Sequence, residues 1–590
     1  LRRAGITVAL SLALLGRAGP AAADPTTYSE YEKETIDDAL ERLGGEVDPA
    51  PDGKTITGIE VVTLDVFEDR DPIPKFFNVF HATTRHWVIE SELLQQRGDR
   101  YDPRLAAEAA RNLRKRRQLS LVLIVPLRGE HPDEVRLMVI TKDVWSLRLN
   151  TDFQLYQGKL ISLLLQPAEE NMFGTHKMVG ALFIMHPDTY SFGGQFVDSR
   201  VAGSRIQATV SANLIVNRVS GRPEGSFGTL YYGQPLYSAE TKWAWKSAII
   251  WYDEIFRSYI GTDLRTFDSD LTPGDDAIPY VYDAARWYSV DSVTRSFGRE
   301  KKLDLSFGVE VDRRRNKVRD PEAYDPTAVA DFAKSEIPVS DRRVSPFFQL
   351  RSYTSDYHRV LDFETLGLQE DFRLGHEAVL RVYPASKDVM STRDMIGTYA
   401  GLGYTLPFGD GLARVLGASV IEKSTRAQTD ASVQLNARVV TPRLGFGRFV
   451  YDGLLLSHYE NYLNDRNTVG GDGRLRGYPP QAFIGKDVVA SNFEYRSRPL
   501  QVWSMQLGGA VFYDVADAFD GFQELHLKQA TGIGLRAVFP QAERFVFRAD
   551  WGVPILSDGL YFPGTFFASF EQAFGMPTLP APSPGSPLSE

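Results

Sequence analysis

The chain has no cysteine among its 590 residues. That excludes disulfides, thiolate metal sites and thiol nucleophiles. A cysteine-free exported chain also avoids mispaired disulfides in an oxidising compartment. Long hydrophobic runs are missing as well. Beyond residue 23 no stretch approaches the ~18 consecutive apolar residues of a membrane-spanning helix, and the strongest short runs are Leu119 to Leu127 and Leu160 to Leu165. An inner-membrane helical protein is therefore disfavoured. No basic domain stands out, and the formal net charge of -10 argues against a nucleic-acid partner. There is no Gly-x-Ser-x-Gly elbow and no Ser-His-Asp constellation with supporting context. His81 and His86 are five residues apart, a poor spacing for zinc, and read as ordinary polar residues. No enzyme, cofactor or metal site is expected, and no catalytic residue is assigned.

What is present begins with an export signal. Arg2 and Arg3 precede an apolar run from Ile6 to Leu15, and Ala21-Ala22-Ala23 before Asp24 offers a small-residue cleavage site. The run is short for a membrane anchor, and Arg17 interrupts it. Residues 24–50 are acidic and polar. Ile36, Ala39, Leu40 and Leu43 fall at helical spacing, which predicts a short amphipathic helix over Glu32 to Leu43. It reads either as a plug or docking helix or as a linker helix lying on the next domain.

Residues 51–145 read as one small α/β domain. Ile56 to Phe67 is β-rich. Thr84 is a candidate N-cap for a helix ended by Gly98-Asp99. Asp102 caps a second helix with Pro103 at its first position. Its basic end, Arg111 and Arg114 to Arg117, suits a helix C-terminus. Leu119 to Leu127 and Glu134 to Ile140 read as two strands, giving the order β-α-α-β-β.

From Leu147 the texture changes to two-residue alternation. Leu147, Leu149, Thr151, Phe153 and Leu155 share one face, and Arg148, Asn150, Asp152 and Gln154 the other. Ile206 to Leu214, Met505 to Asp514 and Phe545 to Trp551 repeat the pattern. One face then sits in an apolar medium and the other in a polar one. A soluble sandwich shows alternation too. The length of the region, its lack of a convincing helix and its apolar face rich in Phe, Tyr and Trp favour a transmembrane barrel. At roughly 25 residues per strand and connection, Leu147 to Phe574 gives about 16 antiparallel strands.

The most informative stretch is Gly470-Gly471-Asp472-Gly473-Arg474-Leu475-Arg476-Gly477-Tyr478-Pro479. It is too glycine-rich for a strand and reads as a structured loop. Downstream, alternation points Glu494, Arg496, Asp514, Arg536, Arg548 and Asp550 into the polar interior. An arginine dipping there would meet carboxylates, with which it pairs in a directional, bidentate way.

This ensemble resembles the outer-membrane-protein assembly superfamily, the BamA and TamA type, also called bacterial surface antigen barrels. Arg476, Gly477 and Tyr478 match the family's Arg-Gly-Phe/Tyr tripeptide. Asp514, in Phe512-x-Asp514, and Glu494, in Asn492-x-Glu494-Tyr495-Arg496, match its inward acidic positions. Glu170-Asn171-Met172-Phe173-Gly174 looks like its early-barrel Glu-Asn-x-x-Gly segment, and Gly233-Gln234-Pro235-Leu236 is also similar. The domain at 51–145 resembles a single POTRA domain. Ala516 departs from the glycine common after the Phe-x-Asp motif. Phe574 is followed by a proline-rich tail, 575–590, expected to be disordered.

The resemblance implies a mainly β chain: an integral outer-membrane barrel at 146–574 with the domain at 51–145 in the periplasm. Arg476 would be a latch held by Asp514 first and Glu494 second, either bracing the wall or gating the lumen. Arg496, Arg536, Arg548 and Asp550 would be further inward polar residues, and Phe566, Phe570 and Phe574 would mark the terminal strand. The implied function is assembly or translocation of unfolded outer-membrane or secreted client proteins, without bond chemistry. The implied partners are the lipid bilayer, those clients, and periplasmic chaperones or accessory lipoproteins. A dedicated secretion pore of the two-partner type shares the same residues. A passive porin would leave the N-terminal domain and the Arg-Gly-Tyr loop unexplained.

Overall fold

The computed structural model describes residues 28–581, except 68–72, 425–427, 473, 542 and 571. The expected signal at 1–23 and the last nine residues of the tail lie outside the described residues. The first element is a helix, Glu30–Leu43 (α1), closed by a capping box between Ser29 and Glu32. Ser29 Oγ accepts the Glu32 N–H at 3.2 Å, and the Glu32 carboxylate accepts the Ser29 N–H at 2.8 Å. Its apolar side, with Ala39 fully buried, packs against Leu64, Leu121, Leu123 and Met138 of the following sheet.

That sheet has three strands, Thr55–Leu64 (β1), Leu119–Arg128 (β2) and Glu134–Asp143 (β3), in the order β1-β3-β2. β1 runs parallel to β3, and β2 antiparallel to it. Two helices, His86–Glu92 (α2) and Pro103–Arg114 (α3), cover the other face around Ile89, Leu113, Val122 and Val139. α3 starts as its sequence dictates, with the Asp102 side chain accepting from Arg104 N at 2.8 Å and Pro103 in the first turn. α2 departs from expectation. Its cap position is Arg85, and it ends at Glu92, not at Gly98-Asp99. Thr84 is engaged elsewhere: its N–H donates to the buried Asp143 carboxylate at 2.6 Å, and its hydroxyl faces Asn171 and His176.

The barrel has 20 strands, where the spacing argument predicted about 16. It runs from Leu147–Tyr156 (β4) to Thr565–Phe570 (β23), antiparallel throughout, and closes β23 onto β4. The shortfall came from the assumed connections. Several are tight turns, such as Gln157-Gly158 between β4 and the next strand and Gly409-Asp410 later. Alternation sorts the wall. Leu149, Leu402, Val415, Val511, Ile533 and Leu535 are exposed outside, while Arg148, Glu494, Asp514, Arg536 and Asp550 are buried within. An apolar outer surface around a polar, filled lumen, closed into a ring of paired strands, is the arrangement that suits a bilayer. One outward connection carries a helix that alternation did not reveal, Pro326–Ser335 (α4), capped by Asp325.

The N-terminal domain sits on one mouth of the barrel. Asn112 donates to Tyr237 O at 2.8 Å, Arg205 pairs with Glu92 at 2.8 Å, and Arg114 donates to Asp371 at 2.8 Å. Asp371 belongs to a long connection, 355–374, that packs Leu366 and Leu368 against Val538 and Val546 of the barrel. The Glu170-Asn171-Met172-Phe173-Gly174 segment is the clasp of this junction. Gln118 donates to Glu170 O at 2.8 Å, Asn171 donates to Ala82 O at 3.0 Å, and Arg85 N donates to Gly174 O at 3.0 Å.

His176, in the turn that follows, is fully enclosed beside Thr84, and burial pushes its imidazole down to about 3. A depressed value means the folded junction prefers the neutral ring. Its contribution is complete above the ordinary histidine value and fades as pH falls toward the depressed one. Acidification from pH about 7 to about 5 is therefore expected to loosen the junction in the native chain and to do so less in His176→Gln. Protease cleavage between residues 143 and 147 reads this out; equal pH sensitivity in both chains would contradict it.

Candidate functional site

The site is built on four neighbouring strands near the seam: Asp487–Ser497 (β19), Met505–Phe519 (β20), Lys528–Phe539 (β21) and Glu543–Leu556 (β22). Their inward positions carry Glu494 and Arg496, Phe512 and Asp514, Arg536, and Arg548 and Asp550, all buried. The connection between Gly447–Asn461 (β18) and β19 leaves the mouth opposite the N-terminal domain, turns back, and drops Arg476 among them.

Arg476 is wholly buried. Its Nε and Nη2 donate to the two oxygens of Asp514, both at 2.8 Å, and its backbone N–H donates to Asp514 Oδ2 at 3.2 Å. Nη1 pairs with Glu494 and lies 3.2 Å from Asp550 Oδ2. The guanidinium lies 3.6 Å from the Phe512 ring centroid, with Phe574 5.1 Å away. Asn492 bridges the wall to the loop: its side-chain amide donates to Asp514 Oδ1 at 2.8 Å and to Arg474 O at 2.7 Å.

The other charges close the ring. Arg496 Nε donates to Glu494 Oε2 at 2.6 Å, and its Nη1 donates to Phe363 O, in the 355–374 connection, at 2.9 Å. Arg536 pairs with Asp550 and donates to Gln572 at 3.1 Å. Arg548 donates to Asp550 Oδ2 at 3.0 Å and to Ser569 Oγ at 2.9 Å, and also pairs with Asp472 of the loop. Arg476, Arg496, Arg536 and Arg548 thus meet Asp472, Glu494, Asp514 and Asp550. That balance matters, because a buried charge without a partner is costly.

Close approach explains the glycine after Arg476. A Cβ on Gly477 would lie 2.6 Å from Val553 C and 2.7 Å from Ala530 Cβ, and one on Gly552 would lie 2.0 Å from Arg476 O. The loop therefore lies directly on β21 and β22. Tyr478 is half-buried over Leu475, Ala516 and Ala530 and meets the Phe483 ring at 5.2 Å. Thr565 Oγ1, at the start of β23, donates to Gly477 O at 3.2 Å, so the loop also touches the last strand.

The structure brings Arg476 to Asp514 and Glu494, and adds Asp550 as a direct third partner. Sequence reasoning placed Phe512 on the inward face without assigning it a role; an aromatic among polar inward neighbours was the available signal. It also left out a second buried network across the lumen. There Arg343 donates to Glu310 at 2.8 Å and pairs with Glu422, while Arg381 and Arg393 pair with Glu310 and Glu422 respectively. The same alternation would have found it.

The final strand is shorter than the sequence suggested. It ends at Phe570, and Phe574 is not part of it. Phe566 opposes Leu155 and Phe570 opposes Phe547, whereas Phe574 has turned into the lumen beside Arg476 and Arg474. A cationic cluster offers that ring a better-matched surface than the wall does. Because β23 is short, the seam is short: among the described residues only Phe153 to Tyr156 of β4 are in register with it. Among the described residues no other pair of neighbouring wall strands shares so short a register.

Removing Arg476 leaves three buried carboxylates short of a partner. Arg476→Ala is expected to destabilise the barrel by about 3–5 kcal/mol, with Arg476→Lys in between because it keeps the charge and loses the fork. Urea unfolding in lipid vesicles measures this; an unchanged midpoint for Arg476→Ala would contradict it.

No family model and no curated protein matches the chain. Among solved structures it is similar to CdiB from Escherichia coli, at 10% identity over 91% of this chain and 82% of that one, with a TM-score of 0.44. It is similar to BamA from Haemophilus ducreyi lacking POTRA domains 1-3, at 12% identity over 92% and 94%, with a TM-score of 0.36. The copper transporter OprC aligns at 10% identity over 76% and 85%, with a TM-score of 0.34. At this identity and overlap the likenesses carry no functional argument.

Proposed function

We propose that the chain is an outer-membrane factor that assembles or translocates other proteins, with its N-terminal domain in the periplasm. The observation that carries this reading is the short seam. In the wall, β4 is paired along its whole length with the next strand, but among the described residues only over Phe153 to Tyr156 with β23. Among the described residues, Leu147 to Asp152 have no register partner in β23, and this stretch lies toward the mouth that holds the N-terminal domain. A strand edge of that kind accepts another strand by backbone pairing.

The domain supplies a second edge at the same mouth. The C-terminal end of β2 is covered on its outer side, since Asp48 N donates to Pro126 O and Arg128 N donates to Glu46 O, both at 2.9 Å. β1 is the other edge of the sheet, and beyond Ile56 no strand pairs with its outer side among the described residues. An extended client would pair first with β1 and then along the edge of β4 that precedes its register with β23. The Arg476 loop holds the inner face of β21, β22 and β23 in place while the seam exchanges partners.

The dedicated secretion pore is less well supported. A plugging α1 would have favoured it, and α1 packs on the sheet of its own domain. Depletion followed by outer-membrane proteomics separates the readings. Broad loss of barrels supports assembly, loss of one exported protein supports a dedicated pore, and no change removes both.

The absence of native cysteine permits a direct test of the seam. Phe153 and Ala568 are register partners across it, so Phe153→Cys with Ala568→Cys is expected to cross-link under oxidation. Client assembly should stop on oxidation and return on reduction. Full activity of the cross-linked chain would contradict the seam mechanism.

A further inference from the structure

From Phe574 to Ala581 the chain stays inside the barrel. Residues 575–581, at the start of the tail expected to be disordered, run along the lumen wall formed by Met395–Phe408 (β15), Gly411–Ser424 (β16) and Asp430–Val440 (β17). They are held mainly through their backbone carbonyls. Arg438 Nη2 donates to Gly575 O at 2.8 Å, Arg414 Nε to Pro577 O at 2.8 Å, and Tyr399 Oη to Pro580 O at 2.7 Å. The Met576 N–H goes to Glu364. Leu579 fills an apolar notch made by Tyr399, Leu416 and Ala418. Gly401 borders the notch: a Cβ there would lie 2.8 Å from Tyr399 Oη and 3.2 Å from the Leu579 methyls. A cavity of about 380 Å³ continues beside the segment.

The polar chemistry of this groove is mainly donating. Two guanidiniums and a phenol donate to main-chain oxygens and one carboxylate, Glu364, takes a main-chain N–H, so the polar grip reads an extended backbone, and the notch for Leu579 adds an apolar side-chain contact. An ordinary residue at 577 or 580 would also bring an N–H in need of an acceptor, whereas proline brings none. From these contacts we infer that the groove of Tyr399, Arg414, Leu416 and Arg438 is a binding site for an extended, proline-containing polypeptide segment, held here by the chain's own residues 575–581. The tethered segment is a strap that a competing segment displaces. This inference goes beyond the assembly reading and stands independently of it.

A fluorescein-labelled synthetic peptide of residues 575–590 is the probe, and the full-length chain in detergent is the receptor. The tethered strap competes at a high effective concentration, so the peptide is expected to bind Leu579→Asp at least about tenfold more tightly than the native chain. Adding Tyr399→Phe and Arg414→Met to Leu579→Asp is expected to remove that gain. Equal, weak binding to the native and Leu579→Asp chains would overturn the proposal. A second measurement needs no disruptive change. A spin label at Ala581→Cys is expected to be immobilised in the otherwise native chain and released by excess unlabelled peptide. A label that is mobile from the start, or unmoved by peptide, would overturn it equally.

Discussion

The structure depends on one constraint: a guanidinium taken out of water must be met by carboxylates on every side it presents. Arg476 satisfies it by entering a ring already laid out on the wall, with Asp514 in a two-point grip and Glu494 and Asp550 on its remaining edge. Without it Asp514 loses its two-point ionic partner, and Glu494 and Asp550 each lose one of theirs. The loop and the wall strands therefore stabilise each other, and neither arrangement is favourable alone. The Phe512 ring beneath the guanidinium and the glycine that follows it complete the seat.

This fixed side of the barrel lies beside its weakest side. The loop touches β23 through Thr565, and Arg548 touches it through Ser569, yet among the described residues β23 is in register with β4 only over Phe153 to Tyr156. The two features are linked through the chain. β23 ends at Phe570, and the chain beyond it turns inward, to Phe574 beside Arg476 and to the groove on β15–β17. Residues that would otherwise lengthen the seam line the lumen instead. The loop network on the inner face of β21–β23 thus lies next to the short outer join of β23 with β4.

Much of this was legible in the sequence, for physical reasons that can be named. Two-residue alternation reports which face meets which medium, so Glu494, Arg496, Asp514, Arg536, Arg548 and Asp550 could be placed inward from the sequence alone. The Asp102-Pro103 start of α3 is a local signal and was readable as such. Strand number was not, because alternation marks strands but not the length of the turns between them. Thr84 looked like a helix cap because its competing partners, Asp143, Asn171 and His176, are distant in sequence. The path of residues 574–581 was illegible for the same reason: a proline-rich tail reads as disordered unless the donors that hold it, Arg438, Arg414 and Tyr399, can be seen to converge.

The mutual dependence of Arg476 and its carboxylates is the central claim, and a double-mutant cycle measures it most directly. Unfolding free energies would be compared for the native chain, Arg476→Met, Asp514→Leu and the double variant in lipid vesicles. Shared stabilisation predicts that the double variant is more stable than the sum of the single losses allows, by a coupling of about 1.5 kcal/mol or more. Single effects that add to within about 0.5 kcal/mol would contradict it, and would leave the loop as a surface feature resting on a wall that stands without it.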